Sequence, residues 1–83
     1  MCYVYILRSV KDGSYYVGST RNVKERLERH NEGRSRYTKN KRPWELVYVE
    51  EHPNRSSAVK REQEIKKQKR KAYIEDLVST SRR

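Results

Sequence analysis

The sequence predicts an α+β domain: a three-stranded antiparallel sheet flanked by helices, in the order β-β-α-β-α-α. Three observations carry this. Residues 2–9 and 14–19 are two tyrosine-bearing runs joined by a polar turn with Asp12-Gly13, a strong local hairpin signal. From Trp44 to Glu50 the chain alternates, with Trp44, Leu46 and Tyr48 set against Glu45, Val47 and Val49. The stretches between and after these strands carry helix start and stop signals.

If Asp12 and Gly13 are the central turn residues, Tyr5 pairs with Thr20, Leu7 with Gly18 and Ser9 with Tyr16. Side chains repeat with period two, so Tyr5, Leu7, Tyr16 and Gly18 share one face, and Cys2, Val4 and Ile6 line the other. Apolar residues on both faces mark a sheet covered on both sides or a central strand. Gly18 has two readings: a bulge or close backbone packing, or an opening through which a phosphate approaches the strand.

Asn22 is the N-cap of the first helix, and Glu25, three residues on, forms a variant of the capping box. The helix runs from about Val23 to Glu32, with Gly33 as the stop. Its inward stripe is unusual. Val23 and Leu27 share it with Arg26 and His30, while Lys24, Glu25, Glu28 and Glu32 take the solvent side. From Arg34 to Arg42 five cations meet no acid, which reads as a basic loop ending at Pro43. After the third strand, closed by Pro53-Asn54, Asn54 or Ser56 caps a helix of about Ser57 to Lys69. Its stripe is Ala58, Val59, Glu62, Ile65 and Lys69. A short helix over Ala72–Val78 follows, and residues 79–83 form a frayed basic tail.

With 83 residues the chain is one domain, residues 1–83. Only 33% of it is hydrophobic, so the core is thin. A net charge of +10 predicts a polyanionic partner, DNA or RNA. A membrane surface is disfavoured, because no helix carries a large apolar face. No apolar run approaches the ~20 residues that span a bilayer, and no signal peptide is evident. Cys2 is the single cysteine, which excludes an intrachain disulfide and fits a reducing cytoplasm. Together with His30 and His52 it cannot form a structural zinc site.

Tyr5, Tyr16, Arg26, His30 and Glu62 are polar groups placed where core residues are expected. Buried charge is costly unless paired or metal-bound, so the five are expected to meet in one polar cleft on the sheet face. Each has a plainer reading. The tyrosines are good strand formers, Arg26 and Glu62 could pair internally, and His30 could stabilise a helix C-terminus.

Taken together, the pattern resembles the GIY-YIG nuclease superfamily. Tyr3-Val4-Tyr5 and Tyr16-Val17-Gly18 stand for the name motif, Arg26 lies ten residues after Tyr16, and His30 and Glu62 follow in the family's order. Arg42-Pro43-Trp44-Glu45-Leu46-Val47 extends the likeness. It is strongest to small stand-alone bacterial GIY-YIG proteins, and more distant to the N-terminal nuclease domain of the ABC excinuclease. Tyr3 replaces the first glycine of the motif, Ser19 stands where the excinuclease domain has a lysine, and a downstream asparagine has no match.

The resemblance implies metal-dependent hydrolysis of DNA phosphodiesters, with a place in DNA repair or recombination. In it Glu62 binds one Mg²⁺ or Mn²⁺ ion. Arg26 grips the phosphate, and Tyr5 and Tyr16 position water. Tyr5 is the favoured general base if its pKa is lowered, and His30 assists proton transfer or holds the phosphate. Backbone grip is expected from Arg34, Arg36, Tyr37, Lys39, Lys41 and Arg42, and from Lys66, Lys67, Lys69 and Arg70. Tyr37 and Trp44 are candidates for base stacking, with Trp44 better placed as core. No base-reading element is evident, so selection falls on DNA structure or on a protein partner that supplies recognition. The alternative is a nucleic-acid-binding module with weak turnover or none.

Overall fold

The computed structural model describes residues 1–68 and 70–81. Strands β1 (Cys2–Ser9), β2 (Tyr15–Thr20) and β3 (Trp44–His52) form one sheet of order β2-β1-β3, antiparallel throughout. Helix α1 (Val23–Asn31) follows the hairpin, and α2 (Arg55–Gln68) and α3 (Lys71–Ser81) follow β3. A single 3₁₀ turn, Lys39–Lys41, breaks the basic loop. The β-β-α-β-α-α order is the one the sequence predicts.

β1 is the central strand, and this explains its two apolar faces. Val4 and Ile6 join Cys2, Val17, Ala58, Ile65 and Val78 in a core under α2 and α3. Tyr5 and Leu7 join Trp44 on the other face, against Tyr16, Val23 and Leu27 of β2 and α1. The thin core is thus two thin layers sharing one strand, an economical solution for a chain with so few apolar residues.

The hairpin register differs from the expected one by two residues: Tyr5 pairs with Gly18 and Leu7 with Tyr16. The connection is longer than a two-residue turn. Ser9 N donates to Ser14 O at 2.8 Å, Gly13 N donates to Ser9 O at 2.9 Å, and Gly13 sits at φ 78°. Ser9 Oγ accepts from Lys11 N and Asp12 N, each at 3.2 Å, which props this wider loop open. A slip of two preserves facing, so Tyr5, Leu7, Tyr16 and Gly18 still share a side.

The expected alternation along β3 fails. Leu7 pairs with Leu46 and Ile6 with Tyr48, with a register irregularity between them. The extra residue turns Val47 and Tyr48 toward the α2/α3 layer. Leu46 and Tyr48 therefore lie on opposite faces.

The caps follow the local sequence signals. Asn22 Oδ1 accepts from Glu25 N at 3.0 Å. At the other end of α1, Gly33 N reaches His30 O and Arg34 N reaches Arg29 O, with Gly33 at φ 80°. That is the Schellman pairing, which favours glycine at this position. α2 starts at Arg55, two residues before the expected start, because Asn54 rather than Ser56 is the cap and accepts from Ser57 N at 2.9 Å. α3 does not end at Val78 but continues through Ser81, so the expected fraying at 79–81 is replaced by helix. Arg82 and Arg83 of the expected tail lie outside the described residues.

A polar network ties β3 to the two late helices. Glu50 accepts from Tyr48 Oη at 2.6 Å, His52 Nε2 at 2.6 Å and Arg61 Nε at 3.1 Å. Arg61 Nη1 donates in turn to Tyr73 Oη at 3.5 Å. Burial pushes Glu50 up, but the bonds from Tyr48, His52 and Arg61 outweigh it and hold the carboxyl below its ordinary range.

Candidate active site

The site grows from the pairing of Tyr5 with Gly18. Tyr5, on the central strand, is 1% exposed. A Cβ built on Gly18 would stand 2.5 Å from Tyr5 Oη and 2.7 Å from Cζ. Gly18 is glycine because the Tyr5 ring lies across it. This is the close-packing reading, and it replaces the opening for a phosphate.

Tyr16, diagonal to Tyr5 on β2, sits with ring centroids 6.3 Å apart. His30, from the last turn of α1, closes the group at 4.9 Å from Tyr16. Its Nε2 is 3.1 Å from Tyr5 Oη and its Nδ1 is 2.7 Å from Thr38 Oγ1. Tyr5, His30 and Thr38 thus form a buried chain of hydrogen-bonding groups. Trp44, buried and edge-on to Tyr16, donates from Nε1 to Thr38 O at 2.9 Å. One threonine therefore fastens the basic loop to both the histidine and the core tryptophan, and Trp44 is core rather than a stacking platform. In the sequence Thr38 reads only as loop filler, and no local pattern distinguishes it.

Electrostatics reverse one expectation. Burial pushes the Tyr5 hydroxyl up to about 12, and the nearby Tyr16 and Glu62 add to this. The Arg26 guanidinium beside it pulls the other way without prevailing. Tyr5 is therefore a protonated phenol at neutral pH, not an activated base with a lowered pKa. Burial, with Arg26 and Arg29 nearby, lowers the pKa of His30, which keeps the imidazole neutral.

Glu62 arrives from the other layer. β2 is an edge strand, and Ser19, next to Gly18, points toward α2. Ser19 Oγ donates to Glu62 Oε1 at 2.6 Å and Lys66 Nζ to Oε2 at 2.6 Å. The glutamate is close enough to Tyr5 to influence its proton affinity. So the five residues do not share one face of the sheet. Tyr5 and Tyr16 gather with His30 of α1 on one side, Glu62 projects from α2 on the other, and the two sets approach around the β2 edge at Gly18-Ser19. Ser19, like Thr38, has no distinguishing mark in the sequence, where it registers only as a departure from a lysine.

Arg26 joins the halves. It is half-buried and has no ion-pair partner among the described residues, Glu62 included. It borders two cavities. One, of about 280 Å³, is lined by Tyr16, His30, Arg29, Arg34 and Arg36. The other, of about 310 Å³, is lined by Ser19, Arg21 and Arg55.

The remaining basic candidates scatter. Arg34 also pairs with Glu32 at 2.6 Å. Lys39 and Arg42 line a separate hollow with Lys11, and Lys41 turns to Asp12 at 3.6 Å. Tyr37 is 88% exposed. Lys66 is held on Glu62, Lys67 and Arg70 are exposed, and Lys69 lies outside the described residues.

Among the described residues no three His, Cys, Asp or Glu side chains gather as a ready metal cage. Glu62 offers a single carboxylate, a donor set that suits a hard cation completed by waters and phosphate oxygens rather than one enclosed by protein. No helix among the described residues is long and apolar enough to cross a membrane.

A tyrosine pair, an unpaired arginine and a carboxylate brought together at a sheet edge define a class of protein. The sequence profile of the GIY-YIG catalytic domain matches residues 1–75, and the chain belongs to this nuclease-type family. Its relatives include UPF0213 protein SSP2268 of Staphylococcus saprophyticus, 46% identical over 65 residues, which are 77% of this chain and 78% of the relative. A UPF0213 protein of Staphylococcus aureus strain Mu3 is 48% identical with the same coverage. The solution NMR structure of UPF0213 protein BH0048 from Bacillus halodurans matches with a TM-score of 0.58 at 38% identity, over 96% of this chain and 85% of that one.

Proposed function

We propose that the chain is a metal-dependent endonuclease that hydrolyses DNA phosphodiester bonds and selects substrate by structure rather than sequence, in repair or recombination. The observation that carries this is Arg26: a half-buried guanidinium without an ion-pair partner among the described residues, beside Tyr5 and Tyr16 and lining a cavity that Ser19, the partner of Glu62, also lines. A part-buried cation held beside a cavity without a counterion suits an anion that arrives with the substrate.

In this reading Arg26 takes a non-bridging phosphate oxygen. Glu62, steadied by Ser19, would hold Mg²⁺ or Mn²⁺, which when bound polarises the phosphate and eases departure of the leaving oxygen. Tyr16 faces the arginine-lined cavity and orients the attacking water. Tyr5, with its raised pKa, serves better as a relay than as a base. Its oxygen accepts a proton from water as its own proton passes to neutral His30, whose Nδ1–H is held by Thr38.

The test is a cleavage panel of nicked, branched and single-stranded DNA with Mg²⁺ or Mn²⁺, comparing the natural chain with Glu62→Ala. Cleavage that needs metal and disappears in the variant supports the proposal. No cleavage on any substrate, or equal cleavage by the variant, overturns it.

One observation favours a binding module with little turnover: both Glu62 oxygens already accept hydrogen bonds, one from the Lys66 ammonium. In that case DNA or RNA binds with strong salt dependence and Glu62→Ala leaves affinity unchanged.

A further inference from the structure

The cavity on the α2 side of Arg26 has no counterpart among the roles just assigned. It lies where the end of β2, the start of α1 and the start of α2 converge. Arg21 comes from the turn after β2, Arg26 from α1, and Arg55 is the first residue of α2. Three arginines and one acidic residue, Glu25, line a volume of about 310 Å³. Among the described residues none of the three has an ion-pair partner. Elsewhere the chain does pair its arginines where acids are near: Arg8 with Glu45, Arg34 with Glu32 and Arg61 with Glu50. Arg21 and Arg55 lie 34 positions apart in the sequence, so their meeting is a product of the fold. Ser19, which holds Glu62, lines the same cavity, so an occupant would lie beside the candidate active site.

We propose that this cavity binds a phosphate of the substrate strand adjacent to the phosphate being cleaved, with Arg21 and Arg55 as its ligands and Arg26 shared between the two. That the phosphate is adjacent to a cleaved one rests on the nuclease reading; that the cavity takes a phosphate rests on the cavity alone. Guanidinium forks suit phosphate oxygens, which accept two parallel N–H bonds from each. The cavity of about 280 Å³ on the far side of Arg26, with Arg29, Arg34 and Arg36, continues the track. A strand crossing the β2 edge would then meet arginine before, at and after the reacting centre. A single strand can follow such a path without a second strand to accommodate, so single-stranded or splayed DNA is the class to test.

The experiment measures binding of a fluorescent single-stranded oligonucleotide without divalent metal, across a salt series, alongside cleavage with metal. Arg21→Gln/Arg55→Gln is compared with Lys60→Gln/Lys71→Gln, which removes the same charge from exposed positions outside both cavities. The arginine pair is expected to lose about tenfold or more in affinity. Its salt slope should fall by about 0.7 for one single-strand phosphate contact. The control should lose much less. Thermal melting checks that each variant is folded. Equal losses in the two variants overturn the site, leaving only general electrostatic attraction. Binding of a mononucleotide as tight as that of the oligonucleotide also overturns it, in favour of a free-nucleotide site. A selective binding loss in a chain that cleaves nothing keeps the phosphate site and removes the nuclease reading, so the two failures are distinguishable.

Discussion

The two faces of the sheet carry polar clusters of similar composition and opposite design. Around Glu50, on the α2/α3 side, a carboxylate, an arginine, a histidine and two tyrosines form a network in which Glu50 and Arg61 neutralise each other and both tyrosine hydroxyls find partners. Around Tyr5, on the α1 side, tyrosines, a histidine and an arginine also meet. There the hydrogen bonds run from Tyr5 through His30 to Thr38, and among the described residues Arg26 has no counterion. The first cluster is complete within the chain and fastens β3 to two helices. The second leaves Arg26 without an acid to pair it among the described residues. Under the proposed function, what separates the clusters is uncompensated charge beside a cavity, not the presence of titratable side chains.

Removing a charge from each cluster tests this contrast most strongly. Arg26→Ala should lower DNA cleavage by about 10²- to 10³-fold, the range for losing one preorganised transition-state contact, and leave the melting temperature nearly unchanged. Glu50→Gln should do the reverse. It strands Arg61 without its partner, and because both side chains keep some solvent contact the cost should be about 2 kcal/mol rather than the full buried-pair value. Urea unfolding reads the loss, and cleavage per folded molecule should be retained. If Glu50→Gln abolishes cleavage in folded protein, the division between the clusters is wrong.

Gly18→Ala should cost roughly 1–3 kcal/mol, because the new methyl group meets the Tyr5 ring and must displace it. The nearest atom is the hydroxyl, so Tyr5→Phe in the same chain should recover part of the loss. A double-mutant cycle measures the coupling, and additive effects would remove Tyr5 as the reason for the glycine.

The smallest effect is on pH dependence. Burial, Arg26 and Arg29 lower the His30 pKa below its ordinary 6.5. As pH falls below that value, the unfolded chain binds a proton that the folded chain resists, so stability falls. Glu50 acts in the same direction at lower pH, since it is also held below its ordinary range. His30→Gln should flatten only the upper part of the profile, just below pH 6.5, and Glu50→Gln only the more acidic part. A single shared change would show that the clusters are not independent.

Much of the fold was legible in residues close together in the chain. Asn22 and Gly33 mark α1 through bonds spanning a few residues, and Val4-Tyr5-Ile6-Leu7 declares a strand buried on both faces. The facing of Tyr5 and Tyr16 survived an error of two in register, because period two is indifferent to an even slip. Other features were not legible. Ser9 props open a loop that Asp12-Gly13 alone would have drawn tight. The β3 irregularity sends Tyr48 to the Glu50 cluster, and nothing between Trp44 and Glu50 announces it. The site followed the same division. Tyr5, Tyr16, Arg26, His30 and Glu62 stood out because each placed polarity on an apolar stripe. Thr38, Ser19, Arg21 and Arg55 sit at ordinary polar positions, and only their distant partners make them notable.

The sequence by itself determined the order of elements, their caps and the side on which each hairpin residue lies. Those depend on steric and hydrogen-bonding preferences acting over one to four residues. Only the tertiary structure decided that Glu62 is held on Ser19 at the sheet edge, near Tyr5, that Thr38 closes the histidine chain, and that Arg26 stands between two cavities without an acid from the described residues to pair it. Such outcomes depend on which distant surfaces pack together, and the closing of long loops leaves no periodic trace in the residues that come to touch.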